Sequence, residues 1–174
     1  PPPPPPPPPP RFQAEDGIRD TSRGLVGSEM CIRDRVDVAR SFIHPGLGNR
    51  PLHACSCSKA IAAFASPEFQ QEILSKPLRA YTDQTKTHAE DIERDFSTIR
   101  ELGYAECVEE IEVGVSSVAA PIRIGDLGVP FSVGATGPIR RFTAAYRKKI
   151  GLGLIEISEQ IAANLQLAHV SRMD

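Results

Sequence analysis

The sequence predicts an α+β fold in which helices cover one antiparallel sheet. Segments with helical apolar spacing lie before, between and after the segments that read as strands. The strands do not alternate with helices in βαβ order, and no internal repeat is visible. A hairpin between two long apolar runs makes the expected sheet antiparallel.

The first 35 residues stand apart from the rest of the chain. Residues 1–10 are an unbroken proline run, and residues 13–20 (QAEDGIRD) and 25–35 (LVGSEMCIRDR) resemble in-frame translations of two sequencing adapters. We therefore predict an artefactual, low-complexity and disordered segment over residues 1–35 and leave it out of the fold prediction. One partial domain with its own core is expected at residues 36–174.

Charge and composition exclude several classes of protein. The net charge is −2, and it stays −2 without residues 1–35, which hold five basic and five acidic residues. Neither a basic nucleic-acid-binding face nor a membrane-binding patch is implied, and no apolar run is long enough to cross a bilayer. Three remaining cysteines without a signal peptide favour reduced thiols and a cytoplasmic location.

Helix signals dominate the first half of the domain. Residues 36–42 read as a strand, and residues 56–65 read as a buried helix of small residues that a serine at its start can cap. Ser66 and Pro67 mark a second helix through about Ser75. A third amphipathic helix is predicted from Thr87, with Glu90 as capping-box partner, to Leu102 before Gly103.

The second half predicts a hairpin and a long helix. The apolar runs at residues 115–124 and 129–136 flank a turn at residues 125–128. A helix starting near Phe142 is predicted to pack one face, marked by apolar residues at spacings of three and four: Tyr146, Ile150, Leu154, Ile157, Ile161 and Leu165. Gly151 and Gly153 are expected to weaken the middle of this helix.

Four segments carry a resemblance to a known family. They are RPLHACSCSKAIAAF at residues 50–64, DIERDFSTIRELGYA at 91–105, EEIEVGVSSVAAPIR at 109–123 and ATGPIRRF at 135–142. Their order and spacing resemble the effector-binding domain of IclR-type transcription regulators, in which Lys59 would end the first turn of the small-residue helix. The resemblance implies a GAF/PAS-like curved antiparallel sheet, incomplete at its N-terminal side.

The same resemblance implies a function and partners. Such regulators bind a small carboxylate or aromatic acid in this domain, and they bind operator DNA through a winged helix-turn-helix that would lie upstream. We expect a homodimer or homotetramer, no enzymatic activity, no cofactor and no membrane partner. Effector identity and the direction of control stay open.

The resemblance also implies a ligand position over the start of the small-residue helix, at Ser56, Cys57 and Ser58. A helix start presents unpaired N–H groups that suit a carboxylate. The further positions that the resemblance implies lie on strands: Cys107, Ser117, Gly134 and Thr136. Some family members have an acidic residue in place of Cys107 and a serine in place of Gly134, which suggests a different or larger effector. Small residues that only allow close packing explain the same pattern.

Three other patterns were weighed. His53, Cys55 and Cys57 alternate, and Cys107 could complete a metal or redox site, although zinc cysteines usually follow a C-x-x-C spacing. A cysteine-dependent enzyme with His53 as base lacks an orienting residue. Glu109 and Glu110 could be pocket carboxylates, but adjacent residues of a strand point to opposite faces, so at most one of them faces inward. A solvated surface position is expected for them. Two further charges, Arg140 and Arg141, also read as surface residues.

Overall fold

The computed structural model describes residues 51–170, with side chains described through residue 166. Within that range, four α-helices, one 3-10 turn and three strands follow one another. They are α1 (Ser56–Ala62), α2 (Pro67–Ser75), α3 (Ala89–Leu102), β1 (Ala105–Val108), β2 (Val115–Ile122), the 3-10 turn (Gly125–Leu127), β3 (Phe131–Pro138) and α4 (Ala144–Val170). The strand predicted at residues 36–42 and the segment at residues 1–35 lie outside the described residues.

The three strands form one open antiparallel sheet in the order β1-β2-β3. This arrangement confirms the α+β class and the predicted hairpin. β3 begins at Phe131, two residues later than expected, and Phe131 pairs with Ile122. Pro130 has no N–H to donate to the ladder, which explains why pairing starts only after it.

The sheet carries helices on both faces. On one face, α1 and α3 pack against the strands through Ala60, Phe96, Ala105 and Ala119, all at most 1% exposed. On the other face, α4 packs through Leu154 against a separate apolar cluster. Because successive strand residues point to opposite faces, Ala119 and its neighbours Val118 and Ala120 belong to different clusters.

The ends of α1 and α2 are formed differently. Ser66 caps α2 as predicted, since its Oγ accepts a bond from the Phe69 amide at 3.3 Å, and Pro67 occupies the first helical position. α1 is shorter than predicted and its N-cap residue is Cys55, with no side-chain capping bond. The predicted serine cap is therefore wrong, because the Ser56 hydroxyl bonds to the sheet instead.

α3 ends where the sequence indicated but begins later. Gly103 adopts a left-handed conformation (φ 80°), and its amide bonds to the Ile99 carbonyl, which confirms the predicted C-terminus. The N-cap residue is His88, and it makes no side-chain capping bond. The capping box predicted for Thr87 and Glu90 is wrong.

The packed face of α4 agrees with the predicted one only in part. Of the predicted stripe, Leu154 is buried and Ile150 packs beside it, whereas Tyr146, Ile157 and Leu165 are 46%, 45% and 41% exposed. The buried side of the helix carries four residues spaced by three or four: Gly151, Leu154, Ser158 and Ala162. A Cβ atom added at Gly151 would lie 2.7 Å from the Tyr104 ring. The missing side chain of Gly151 therefore allows α4 to pack closely against the Tyr104 ring.

Candidate functional site

A row of three polar side chains crosses the sheet beneath the start of α1. Cys107 of β1 pairs with Ser117 of β2, and Ser117 pairs with Thr136 of β3. Directly opposed residues of neighbouring strands point to the same face, so these side chains are neighbours. The register thus brings three of the predicted site residues together.

The first turn of α1 lies directly on this row. The hydroxyl oxygens of Ser56 and Ser117 are 2.7 Å apart, and Ser56 is 2% exposed. A Cβ atom on Gly134 would lie 3.0 Å from the Cys57 Sγ, so the glycine lets α1 approach β3 closely. The Ser132 hydroxyl donates to the Cys57 carbonyl at 3.1 Å and joins the same contact.

Ser58 is the predicted site residue that stands apart from this contact. It is fully buried, but it lies two positions after Ser56, which is about 200° around the helix. The Ser56 side of α1 and the Ser58 side therefore cannot both face the row.

The first turn of α1 touches the sheet through the Ser56–Ser117 bond and through the close approach of Cys57 to Gly134. Elsewhere in the described residues, cavities of about 430 and 210 Å³ are lined by other residues. The larger one lies between α3 and β1 and includes Lys86, Asp95 and Glu110.

The thiols and His53 do not form a metal site. Among residues 51–166, no group of three or more His, Cys, Asp or Glu side chains is arranged to hold an ion. His53 Nε2 lies 3.0 Å from the Arg79 carbonyl oxygen. The metal alternative of His53, Cys55, Cys57 and Cys107 is therefore wrong.

Burial also argues against a reactive thiol at Cys107. Burial, followed by the charge of Glu110, raises the pKa of this thiol above its usual value. A raised pKa leaves less thiolate at neutral pH, and the thiolate is the reactive species. Cys107 is 4% exposed, so its environment is that of a small buried side chain.

A buried ion cluster was missed by sequence reasoning. The Lys59 ammonium is 1% exposed and lies 2.8 and 3.0 Å from the two Glu110 carboxylate oxygens and 3.0 Å from Asp95 Oδ2. Lys86 bonds to the other Asp95 oxygen. The available signal was Lys59 itself, because a lysine inside a run of small and apolar helix residues needs a buried acidic partner.

The pKa shifts of the cluster follow from one buried ammonium shared by two carboxylates. Burial opposes the charged form of Lys59, yet Glu110 and Asp95 outweigh it and raise the pKa of the amine. Burial raises the pKa of Glu110, and Lys59 offsets only part of this shift. Asp95 is also buried, but Lys59 and Lys86 together lower its pKa. The carboxylate with two ammonium partners is the one that stays readily ionised.

The position of Glu110 corrects a prediction. β1 ends at Val108, so the alternation of a strand does not apply to Glu109 and Glu110. Glu109 has a φ of 56° and its side chain accepts a bond from the Gly114 amide at 2.7 Å, which closes the turn. Glu110 is 5% exposed instead of solvated. Arg140 and Arg141 are exposed.

None of the helices within residues 51–170 combines the length and apolar character that a membrane span requires.

Comparisons with known proteins identify relatives of this sequence. The profile of the family described as bacterial transcriptional regulator IclR C-terminal matches residues 34–163. The Pca operon regulatory protein of Acinetobacter baylyi is 33% identical over 140 residues, which cover 72% of this chain and 50% of that protein. The glycerol operon regulatory protein of Streptomyces coelicolor is 33% identical over 107 residues, covering 62% and 41%. The chain thus spans half or less of these relatives.

Solved structures agree with the sequence relatives. The Thermotoga maritima IclR structure superposes with a TM-score of 0.69 at 29% identity, covering 76% of this chain and 55% of that one. The inducer-binding domain of an Acinetobacter PobR double mutant, in complex with 3-hydroxybenzoic acid, superposes with a TM-score of 0.60 at 25% identity. That match covers 72% of this chain and 73% of the PobR domain. This chain belongs to the IclR family of bacterial transcriptional regulators, of which it carries the C-terminal effector-binding domain.

Proposed function

We propose that this domain senses a small organic acid for a longer, cytoplasmic, DNA-binding regulator, and that it has no enzymatic activity of its own. Relatives named as operon regulatory proteins match it at about one third identity. DNA contact is assigned to a domain outside this chain, because a net charge of −2 gives no overall attraction to the DNA backbone. A homodimer or homotetramer is proposed for the full-length protein.

The proposed effector site is the contact between the first turn of α1 and the row formed by Cys107, Ser117 and Thr136. The single observation that carries it is the register that sets these three side chains side by side under α1. The two hydroxyls can donate to a carboxylate. Ser56, Cys57, Ser58 and Gly134 complete the proposed site.

An aromatic or short-chain carboxylate is the proposed class of effector. The PobR inducer-binding domain, which has the same fold, was solved with 3-hydroxybenzoic acid. The proposed site also includes the start of α1 (Ser56–Ala62), and the start of a helix favours an anion through its backbone dipole. The absence of a basic side chain from the row favours a ligand with a single carboxylate over a polyanion.

A ligand over the row would compete with the first turn of α1 for position. The Ser56 and Ser117 hydroxyls are bonded to each other, and an effector carboxylate that takes the position of the Ser56 hydroxyl would replace that bond. We infer two arrangements, one with α1 on the row and one with α1 displaced by the ligand. An effector that prefers one of them would change operator affinity by the same free energy that operator DNA changes effector affinity.

A thermal-shift screen of the full-length regulator tests this function. The probes are 3-hydroxybenzoate, benzoate, glycolate and succinate, and at least one should raise the melting temperature in proportion to ln(1 + [L]/Kd). The same acid should change the affinity for the upstream DNA of its own operon.

Matched variants assign the effect to the site. Ser117→Ala and Thr136→Val should each weaken the shift, since they remove a hydroxyl donor. Ser158→Ala is the control, because this buried hydroxyl bonds within α4 to the Ile155 carbonyl on the other side of the sheet. If no acid shifts the melting temperature, or if Ser117→Ala responds like Ser158→Ala, the proposed site is wrong.

A further inference from the structure

The short helix α1 is bonded to other elements at its C-terminal end, at its start and in its middle. At its C-terminal end, Gln70 Nε2 donates to the Ala62 carbonyl at 2.8 Å and Arg100 donates to the Ala63 carbonyl at 2.9 Å. At its start, the Ser56 and Ser117 hydroxyls bond to each other, and the Ser132 hydroxyl donates to the Cys57 carbonyl. Lys59 lies between them, three residues after Ser56 and therefore on the same side of the helix.

Lys59 joins α1 to two other parts of the chain through one ammonium group. Its three N–H donors match three acceptor oxygens, two from Glu110 after β1 and one from Asp95 on α3. A point fixed to two separate elements limits both rotation and sliding of the helix. α1 needs such a constraint because its other buried side chains, Ser56, Ser58, Ala60 and Ala62, are too small to interlock.

The acidic partners are themselves held in place. The Thr82 hydroxyl donates to the Glu109 carbonyl and the Thr85 hydroxyl donates to the Glu110 carbonyl, each at 2.6 Å. Lys86 holds the second oxygen of Asp95. The segment between α2 and α3 therefore holds the backbone of Glu110 and one carboxylate oxygen of Asp95, the two residues that bond to Lys59.

We propose that Lys59 is a positioning residue of the effector site, which holds the first turn of α1 against the row of Cys107, Ser117 and Thr136 through its bonds to Glu110 and Asp95. The inference rests on the proposed function, because the effector site that Lys59 positions belongs to that proposal. Its test needs no effector, so a failure here is distinguishable from a failure of the effector screen.

Hydrogen exchange of the full-length protein provides the first test. Lys59→Met removes the ammonium, and the double variant Lys59→Met/Glu110→Gln also removes the carboxylate that would otherwise be buried without its partner. Asp95 keeps Lys86 in both variants. We expect the amides of residues 55–64 to exchange about tenfold faster or more, while the buried amides of α4 keep their wild-type rates.

A variant that only lowers global stability gives the contrast. Leu154→Ala removes an apolar contact of α4 and should accelerate exchange in α1 and α4 together. Unchanged exchange at residues 55–64 in the double variant would overturn the proposal. Acceleration of both helices by the same factor, as in Leu154→Ala, would also overturn it.

Alkylation of Cys107 is a second readout, on which the two expected effects of Lys59→Met act in opposite directions. Among the charges around this thiol, Lys59 lowers its pKa, so Lys59→Met should raise that pKa and slow the intrinsic reaction. Loss of the helix position should instead uncover the thiol. Alkylation of Cys107 by iodoacetamide, followed by peptide mass spectrometry, is expected to be faster in Lys59→Met, and a slower reaction would contradict the proposal.

Discussion

The two faces of the sheet are built from the same three strands but contact the first turn of α1 and the helix α4 through different interactions. Toward the first turn of α1, the strands present hydroxyl and thiol groups, and the contact is made by Ser56 with Ser117 and by Cys57 with Gly134. Beyond that turn, Ala60 packs with Ala105 and Ala119 in the apolar cluster that α1 shares with α3. Toward α4, they present an apolar cluster of Tyr104, Val118, Ala120 and Leu154. Alternation along each strand places these unlike surfaces only one residue apart.

This difference assigns stability and adaptability to different contacts. Buried apolar contacts stabilise in proportion to the area removed from water, whereas a hydroxyl pair contributes little net free energy and can exchange its partner for a ligand group. The apolar clusters on the two faces are therefore expected to hold the domain together. The first turn of α1 is expected to change without unfolding the domain.

Leu154→Ala should produce the largest loss in this comparison. Leu154 is 7% exposed within the α4 cluster, and removing a buried leucine side chain costs about 2–5 kcal/mol of unfolding free energy. Urea unfolding followed by circular dichroism measures the loss. A cost below that of Ser117→Ala would contradict the assignment of stability to the apolar contacts.

The two glycines of α4 should respond to alanine with opposite signs. A Cβ atom at Gly151 would lie 2.7 Å from Tyr104, so Gly151→Ala should cost about 1–3 kcal/mol through overpacking. No atom lies within 4 Å of a Cβ atom placed at Gly153. Gly153→Ala should stabilise by about 0.5–1 kcal/mol, because alanine loses less backbone entropy in a helix. Melting temperatures of the pair measure the contrast, and equal shifts would contradict it.

These glycines show what periodicity could and could not predict. The 3.6-residue pattern identified α4 as a helix and included Leu154 and Ile150, which pack on the sheet. The same predicted stripe also included Tyr146, Ile157 and Leu165, which are exposed. Apolar spacing reports which residues can be buried. It carries no information about a bulky ring on another element, and here the position of Tyr104 decided which side of α4 packs.

In the candidate site, too, the sequence indicated some of the residues and not others. The resemblance drew attention to Cys107, Ser117 and Thr136, and the strand register places these side chains together. The pairing of Lys59 with Asp95 and Glu110 spans 36 and 51 residues, and no local pattern links such distant positions. Glu110 was assigned to the surface because the end of β1 at Val108 could not be read from the sequence.

Ser117→Ala should have a smaller effect than either destabilising α4 substitution, Leu154→Ala or Gly151→Ala. It breaks the bond to Ser56 and leaves that buried hydroxyl without its Ser117 partner, at a cost of about 1 kcal/mol. The double variant Ser56→Ala/Ser117→Ala should recover part of this loss, since no partner is left unpaired. A double-mutant cycle by urea unfolding measures the coupling. Additive losses would show that the two hydroxyls do not depend on each other.

The smallest expected effect is a pH dependence of the unfolding free energy caused by His53, which lies just before α1. Burial, reinforced by the charge of Lys59, lowers the pKa of His53 despite its bond to the Arg79 carbonyl. The unfolded chain therefore binds a proton at this residue more readily than the folded chain, and stability falls as the pH drops from 6.5 through the lowered pKa. His53→Gln keeps a donor for the Arg79 carbonyl but cannot titrate. As the pH falls from 7.5 to 5, the unfolding free energy of the wild type should therefore decrease relative to that of His53→Gln. Urea unfolding at four pH values in this window measures it, and a difference that stays constant would mean that His53 is not held in its neutral form by the fold.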